Sequence, residues 1–336
     1  MARTLKISFL AMMAFVLAAA AGLYFYTHPS IPRVPPDIAA ADNITFYALG
    51  DQGSSINQWW VARAMEKQAE KDGDPDFVAL LGDNFYNVKP LTLDSASWKW
   101  NFEYVYSGKY LNSMPFYAIL GNHDPESVDG KNVEIEYARR HLGSGRWRMP
   151  ADYYAMDFGN VGGRPLIRMV FLNTNLSMDD LKKEADFIRD NFPNDDHSPI
   201  WKIVAGHHPM HSYGKYKHPE EAAEFSERAG IIAAALMDAH VDLYLSGHDH
   251  NQQLIARGNE PVYVINGAGG AETYEMRGKS PDLKFARSDY GFARVYADAK
   301  SLEVNFFDTQ PHLLSSFVLL RACVDRPSAC LKAVRR

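Results

Sequence analysis

Five short apolar runs in this chain each end in a glycine followed at once by a side chain able to bind a hard metal ion. They are Ile44–Leu49 before Gly50-Asp51, Phe77–Leu81 before Gly82-Asp83, Phe116–Leu120 before Gly121-Asn122, Lys202–Ala205 before Gly206-His207, and Val241–Ser246 before Gly247-His248-Asp249-His250. A short apolar run without alternation reads as a strand buried on both faces, and in open α/β sheets ligands gather beyond the carboxyl ends of such strands. Glycine lets the backbone turn sharply where those ligands must converge. The donors are two Asp, one Asn and three His, with no cysteine among them, which suits Fe, Mn, Zn or Mg better than a thiolate-loving site. Six donors are too many for one ion, so the economical arrangement is two ions roughly 3.5–4 Å apart sharing a bridging carboxylate. Taken singly, a Gly-Asp after a strand is a turn and a lone histidine a surface or core residue. The ordered set is what points to metal-dependent phosphoester hydrolysis.

These motifs resemble the calcineurin-like metallophosphoesterase superfamily and, within it, the purple acid phosphatases of the small, tartrate-resistant type. The first motif reads Asp51-Gln52-Gly53, where most of the superfamily has Asp-x-His, and the second, Gly82-Asp83-Asn84-Phe85-Tyr86, carries a tyrosine three residues after its aspartate. A phenolate is a hard anionic donor that favours a trivalent ion. The resemblance spans about Asp42 to Asp308 and includes Tyr137 to Phe158, with Trp147, Pro150, Tyr153 and Tyr154. It implies that Asp51, Asp83, Tyr86 and His250 hold Fe(III), while Asp83, Asn122, His207 and His248 hold a divalent partner, Fe, Zn or Mn. It also implies that His123 faces the substrate and gives a proton to the leaving alkoxide.

The chain departs from the family pattern at Pro125, at His208, where an aromatic is more usual, and at Asn173, which replaces an aspartate. None of these removes a ligand, and His208 is a candidate second proton donor. The stretch Asn173 to Leu181 lacks the long exposed loop that relatives use as a proteolytically removed restraint, so activation by cleavage is not expected. The implied reaction is hydrolysis of phosphate monoesters: hydroxide generated at the metal centre attacks in line, the divalent ion holds a phosphoryl oxygen, and His123 protonates the departing oxygen. A trivalent ion lowers the pKa of bound water further than a divalent one, which suits mildly acidic conditions.

With 336 residues and 46% hydrophobic content, the chain is long enough for one large core and shows no internal repeat. The reading is one catalytic domain over residues 42–310 and a C-terminal strand and tail over 311–336. A net charge of −6 with scattered Lys and Arg gives no basic field for nucleic acid. Small phosphorylated substrates and a monomeric state are expected. Met1–Lys6 is basic and Ile7–Tyr26 is an uncharged run of twenty residues, so residues 1–26 read as a membrane anchor or a signal peptide, followed by a Pro-rich spacer over 27–41. Either way the catalytic domain is exported to the periplasmic or extracellular side, with membrane contact through the N-terminal helix if it is not cleaved. Cys323 and Cys330 are placed to close a small disulfide loop in such a compartment, and Asn43 and Asn175 match the N-glycosylation acceptor.

Helices are expected over Gln58–Lys71, from a capping box at Ser177 toward Phe192, and over Glu220–Ala239. Val262–Asn266, Phe292–Ala297 and Leu302–Phe307 read as strands of a second sheet. Two face-to-face sheets with helices outside, a four-layer α/β/β/α sandwich with a dinuclear metal site at the carboxyl ends of its central strands, is the architecture these patterns suggest and the resemblance implies. Two rival functions share the motifs: a phosphodiesterase or nucleotide pyrophosphatase, and an inactive membrane-tethered binding module. Tyr86 and the missing first-motif histidine argue against the first, and the full ligand set argues against the second.

Overall fold

The apolar runs form the strands that organise two sheets. In the computed structural model the described residues are 12–13 and 40–334, except 54, 87, 89, 125–131, 194–198, 216–218 and 324–326. Residues 1–39 otherwise lie outside the description, and with them the expected anchor or signal segment, most of the spacer, and Pro125. Among the described residues no helix is long and apolar enough to cross a membrane.

The first sheet is built around β1 (Ile44–Leu49), β2 (Phe77–Leu80), β3 (Phe116–Ala118) and β4 (Trp147–Arg148), all parallel. The second holds β5 (Tyr154–Val161), β6 (Arg164–Phe171), β7 (Trp201–Ala205), β8 (Leu243–Ser246), β9 (Gln252–Ala256), β10 (Val262–Asn266) and β11 (Leu283–Arg287), in the order β11-β9-β10-β8-β7-β6-β5. Strands β12 (Gly291–Ala297), β13 (Ser301–Asp308), β14 (Leu313–Leu320) and β15 (Lys332–Ala333) return to the first sheet, β12 pairing antiparallel with β1. The three late runs are therefore strands, but they do not share a sheet. Val262–Asn266 lies parallel to β8 in the second, while Phe292–Ala297 and Leu302–Phe307 extend the first across the free edge of β1. Periodicity reports burial, not the partner strand, which explains the difference.

Side-chain alternation shows how the layers stack. Along β7 and β8, Ile203, Ala205, Leu243 and Leu245 join Phe46, Ala48, Val295 and Phe306 in the core between the sheets. Their neighbours Val204 and Tyr244 turn the other way, into a second cluster with Leu181, Ile188, Ile232 and Leu236. Successive residues of a strand face opposite sides, so one strand serves both cores. The helices of that outer layer are α3 (Met178–Asn191) and α4 (Pro219–Asp238), which pack on each other. On the other outer face α1 (Ile56–Asp72) lies against β12, and α2 (Val133–Arg139) leads into β4. The result is the α/β/β/α sandwich. Ser55 caps α1 by accepting from the Asn57 N–H, and Ser177 caps α3 by accepting from the Asp180 N–H.

The hairpin of β5 and β6 was not legible beforehand, because β5 is apolar only in part and pairs outward at a sheet edge. The Asn175 amide nitrogen donates to Leu120 O at 3.1 Å and to Asn173 Oδ1 at 3.1 Å, tying it inward beside the third motif.

Within α3, Glu184 is fully buried and its carboxylate accepts the Asn173 N–H at 3.1 Å. Burial pushes its pKa from 4.5 up to about 8. The folded chain then holds a proton that the unfolded chain has released, so stability is lost as pH rises from about 4.5 through 8. Glu184→Gln, which keeps an acceptor for Asn173, should flatten this dependence. In urea titrations its stability relative to the wild type should rise between pH 5 and pH 8 by on the order of 1–4 kcal/mol. An unchanged difference at the two pH values would refute the assignment.

Candidate metal centre

The carboxyl ends of the parallel strands meet because the sheets are tied together there. Gly50 N–H donates to Asn266 O at 2.8 Å, Gly269 N–H to Gly50 O at 3.0 Å, and Ala271 N–H to Asp51 O at 2.7 Å. The Asn266 side chain adds a bond to Ala48 O at 2.8 Å. The glycines leave the room this needs. A Cβ on Gly121 would sit 2.2 Å from the Asp83 backbone nitrogen and from Asp83 Oδ1, and one on Gly247 would sit 2.4 Å from Asp51 Oδ2. Three of the candidate ligands, Asp51, Asp83 and His248, adopt left-handed backbone with φ of 58°, 55° and 65°. Such conformations cost about 1–3 kcal/mol each and persist where the surroundings dictate them. Here they turn the side chains inward from the strand tips.

The resulting contacts fall into two groups that share Asp83. In the first, the Tyr86 hydroxyl lies 3.1 Å from Asp51 Oδ1, 3.0 Å from Asp83 Oδ2 and 3.2 Å from His250 Nε2. In the second, His207 Nε2 lies 3.5 Å from Asp83 Oδ2, 3.0 Å from Asn122 Oδ1 and 3.2 Å from His248 Nδ1. The rings are oriented from behind: His207 Nδ1–H donates to Leu81 O at 2.9 Å and His250 Nδ1–H to Glu272 O at 2.7 Å, so each Nε2 faces inward. The structure thus brings together all seven residues singled out as ligands. His123 is exposed, its ring centroid 4.7 Å from that of Tyr86 and its N–H held by Asp83 Oδ1 at 2.7 Å. His208 stands beside the second group, 4.4 Å from the His248 ring, with Nδ1 2.8 Å from Thr174 Oγ1.

Electrostatics test whether these residues suit cations. Asp51 and Asp83 are 0% and 1% exposed. Burial raises the Asp51 pKa; Asp83 is held below the usual carboxylate range because the His207 charge and hydrogen bonds outweigh its burial. Burial disfavours charge on His207, yet the Asp83 carboxylate lifts it to about 9. Burial, followed by the Asp51 and Asp83 charges, pushes the Tyr86 phenol far above its usual value. A phenol wedged between two carboxylates becomes a ligand only beside a strongly charged cation. Asp51, Asp83 and His250 each offer an atom within 4.8 Å of the others. The donor set fits two hard ions. His208 behaves differently: burial, followed by the His207 charge, lowers it to about 3.

Sequence reasoning missed the residues that brace the ligands. Asp124, next to His123, accepts the N–H groups of Asn84 at 2.7 Å, Phe85 at 2.9 Å and Gly121 at 2.7 Å, locking the second motif to the third. Asn84 bridges Ile119 O and Glu134 Oε2 while accepting from Gln52 Nε2 at 2.8 Å. Asp249, between two histidines, binds the Ser212 hydroxyl and the Lys215 N–H. Asp124 and Asp249 were visible as motif letters, but nothing in their spacing showed that they face away from the centre.

Residues 44–252 match the family described as calcineurin-like phosphoesterase, and 260–313 match the family described as iron/zinc purple acid phosphatase-like protein C. The chain belongs to the calcineurin-like phosphoesterases, in the purple acid phosphatase branch. It is 28% identical over 304 residues to purple acid phosphatase 17 of Arabidopsis thaliana, covering 82% of this chain and 84% of the relative. With tartrate-resistant acid phosphatase type 5 of Rattus norvegicus it shares 28% over 260 residues, covering 71% and 76%. A solved structure titled "GAP50 the anchor in the inner membrane complex of Plasmodium" shares the fold, with a TM-score of 0.65 at 24% identity over 82% of this chain and 87% of that one.

Gly121 offers a test of the converging-loop geometry. Gly121→Ala puts a methyl group into the Asp83 backbone and carboxylate, so it should lower metal stoichiometry while circular dichroism reports an intact fold, at about 1–3 kcal/mol of overpacking cost. Wild-type metal content in a folded Gly121→Ala protein would contradict it.

Proposed function

We propose that the protein is an exported acid phosphatase that hydrolyses phosphate monoesters at a dinuclear Fe(III)–M(II) centre, with M being Fe, Zn or Mn. The observation that carries this reading is the pair of ligand groups sharing Asp83, one of which contains Tyr86. Asp51, Asp83, Tyr86 and His250 would hold Fe(III), and Asp83, Asn122, His207 and His248 the divalent ion. Such a pair of ions supplies water activation in mild acid and neutralises phosphoryl charge. The chain's own residues do the rest. Asp83 spans the two groups and, through the His123 N–H, fixes the loop that presents the proton donor. His123 is exposed where a substrate enters, and gives its imidazole proton to the departing oxygen. His208, beside the second group with Nδ1 2.8 Å from Thr174 Oγ1, is the candidate second proton donor. Export is supported by the basic Met1–Lys6 followed by the uncharged Ile7–Tyr26, and an exported compartment favours a Cys323–Cys330 disulfide.

The likeness to an anchoring protein raises a second reading, a tethered module without turnover. The two groups of inward-facing donors favour catalysis over it. Purified protein should contain two ions and absorb broadly in the visible from a phenolate–iron pair, and Tyr86→Phe should abolish the colour. Turnover should be far higher on a monoester than on a diester. Colour that survives Tyr86→Phe, or preference for the diester, would overturn the assignment.

Proton donation is separable from metal binding. His123→Asn should keep both ions yet slow hydrolysis of esters with poor leaving groups by roughly 10²–10⁴-fold, the usual contribution of a positioned acid. Esters of nitrophenol, whose leaving group departs with little help, should slow much less. Equal slowing of both ester types would show that His123 orients the phosphoryl group instead.

A further inference from the structure

His250 is gripped by the segment Glu272–Tyr274 between β10 and β11 in three ways. Its Nδ1–H donates to Glu272 O at 2.7 Å, its carbonyl accepts the Tyr274 N–H at 2.8 Å, and its ring lies flat on the Tyr274 ring, with centroids 4.2 Å apart and planes 10° from parallel. The Lys215 ammonium stands 4.5 Å from the centroid of the same tyrosine. The phenol ring thus meets both the imidazole and the ammonium. The backbone of Tyr274 is itself anchored, its carbonyl accepting from the Ser288 hydroxyl at 2.8 Å.

We propose that Tyr274 is a positioning residue for the metal ligand His250, its ring fixing the plane in which Nε2 meets Asp51 and Tyr86; this rests on the dinuclear reading above. A hydrogen bond at Nδ1 selects the tautomer and one direction, but leaves the imidazole free to tilt about that bond. Flat contact with a second ring removes the tilt. The freedom matters because His250 Nε2 is 3.2 Å from both Asp51 Oδ1 and the Tyr86 hydroxyl, so a tilt spoils both approaches at once. The Lys215 ammonium, over the phenol ring, adds a cation–π contact that holds it in place. The ring, not the hydroxyl, does the positioning.

Tyr274→Phe should therefore behave as wild type. Tyr274→Leu, which keeps apolar bulk without a flat face, and Tyr274→Ala should weaken binding of the ion held by His250, and not of the one held by His207 and His248, by roughly 10–100-fold, the usual effect of removing a group that orients a ligand. The readouts are titration calorimetry with zinc on the metal-stripped protein and the position and width of the visible band after iron loading. Rescue by Phe together with loss in Leu supports the proposal. Wild-type zinc affinity and an unaltered band in a folded Tyr274→Leu protein overturn it, as does a Phe variant as weak as Leu. A wild-type protein without a phenolate–iron band would sink the dinuclear iron reading, yet the zinc comparison of wild type with Tyr274→Leu would still decide the role of Tyr274.

Discussion

Two carboxylates removed from water are the constraint on which the rest depends. Asp51 and Asp83 lie at the meeting point of the sheets, and an ionised carboxylate in such a place is costly unless paired or bound to a cation. Every nearby element answers that cost. His207 and His250 approach them with the inward nitrogen freed by a carbonyl behind, backbone N–H groups of His123 and His248 donate to them, and three residues accept left-handed backbone to aim inward. Without the charge there would be no reason for this strain. With it, the strand tips become a rigid cup for hard cations.

Rigidity comes from polar residues that face away from the centre. Burial and the Asp83 charge raise Asp124 to about 7, and the same burial, with Asp124 beside it, pushes Glu134 well above its usual range. Carboxyl groups this reluctant to ionise act as hydrogen-bonding braces. They hold the second and third motif loops in register through Asn84, so Asn122 and His123 project from a fixed base. Asp249 plays the same part opposite, binding the loop that carries Ser212 and Lys215. The ligands are few; the groups that keep them still are more numerous and further from the chemistry.

The layering also explains the division of labour between sheets. Asp51, Asp83 and Asn122 follow β1, β2 and β3, whereas His207 and His248 follow β7 and β8 in the other sheet. The centre exists only where the two sheets touch. Bonds such as Gly50 to Asn266 and Ala271 to Asp51, which join one sheet to the other, are thus part of the site as much as of the fold.

The sequence by itself determined the strands that carry the donors, the order of those donors and the kind of ion they suit, because buried strands leave apolar runs and a hard-metal site leaves a characteristic set of oxygen and imidazole groups at their ends. Helices α1, α3 and α4 were legible within a residue or two for the same reason of local periodicity. Tertiary structure alone decided that β10 and β12 lie in different sheets, that Asp124, Asn84 and Glu134 brace the ligand loops, that Asn175 is tied inward, and that Tyr274 lies on His250. Those outcomes depend on which distant segments come into contact, over separations such as the 164 residues between Tyr86 and His250. Local pattern carries no record of them, since a residue's polarity tells what it needs and not which neighbour will supply it.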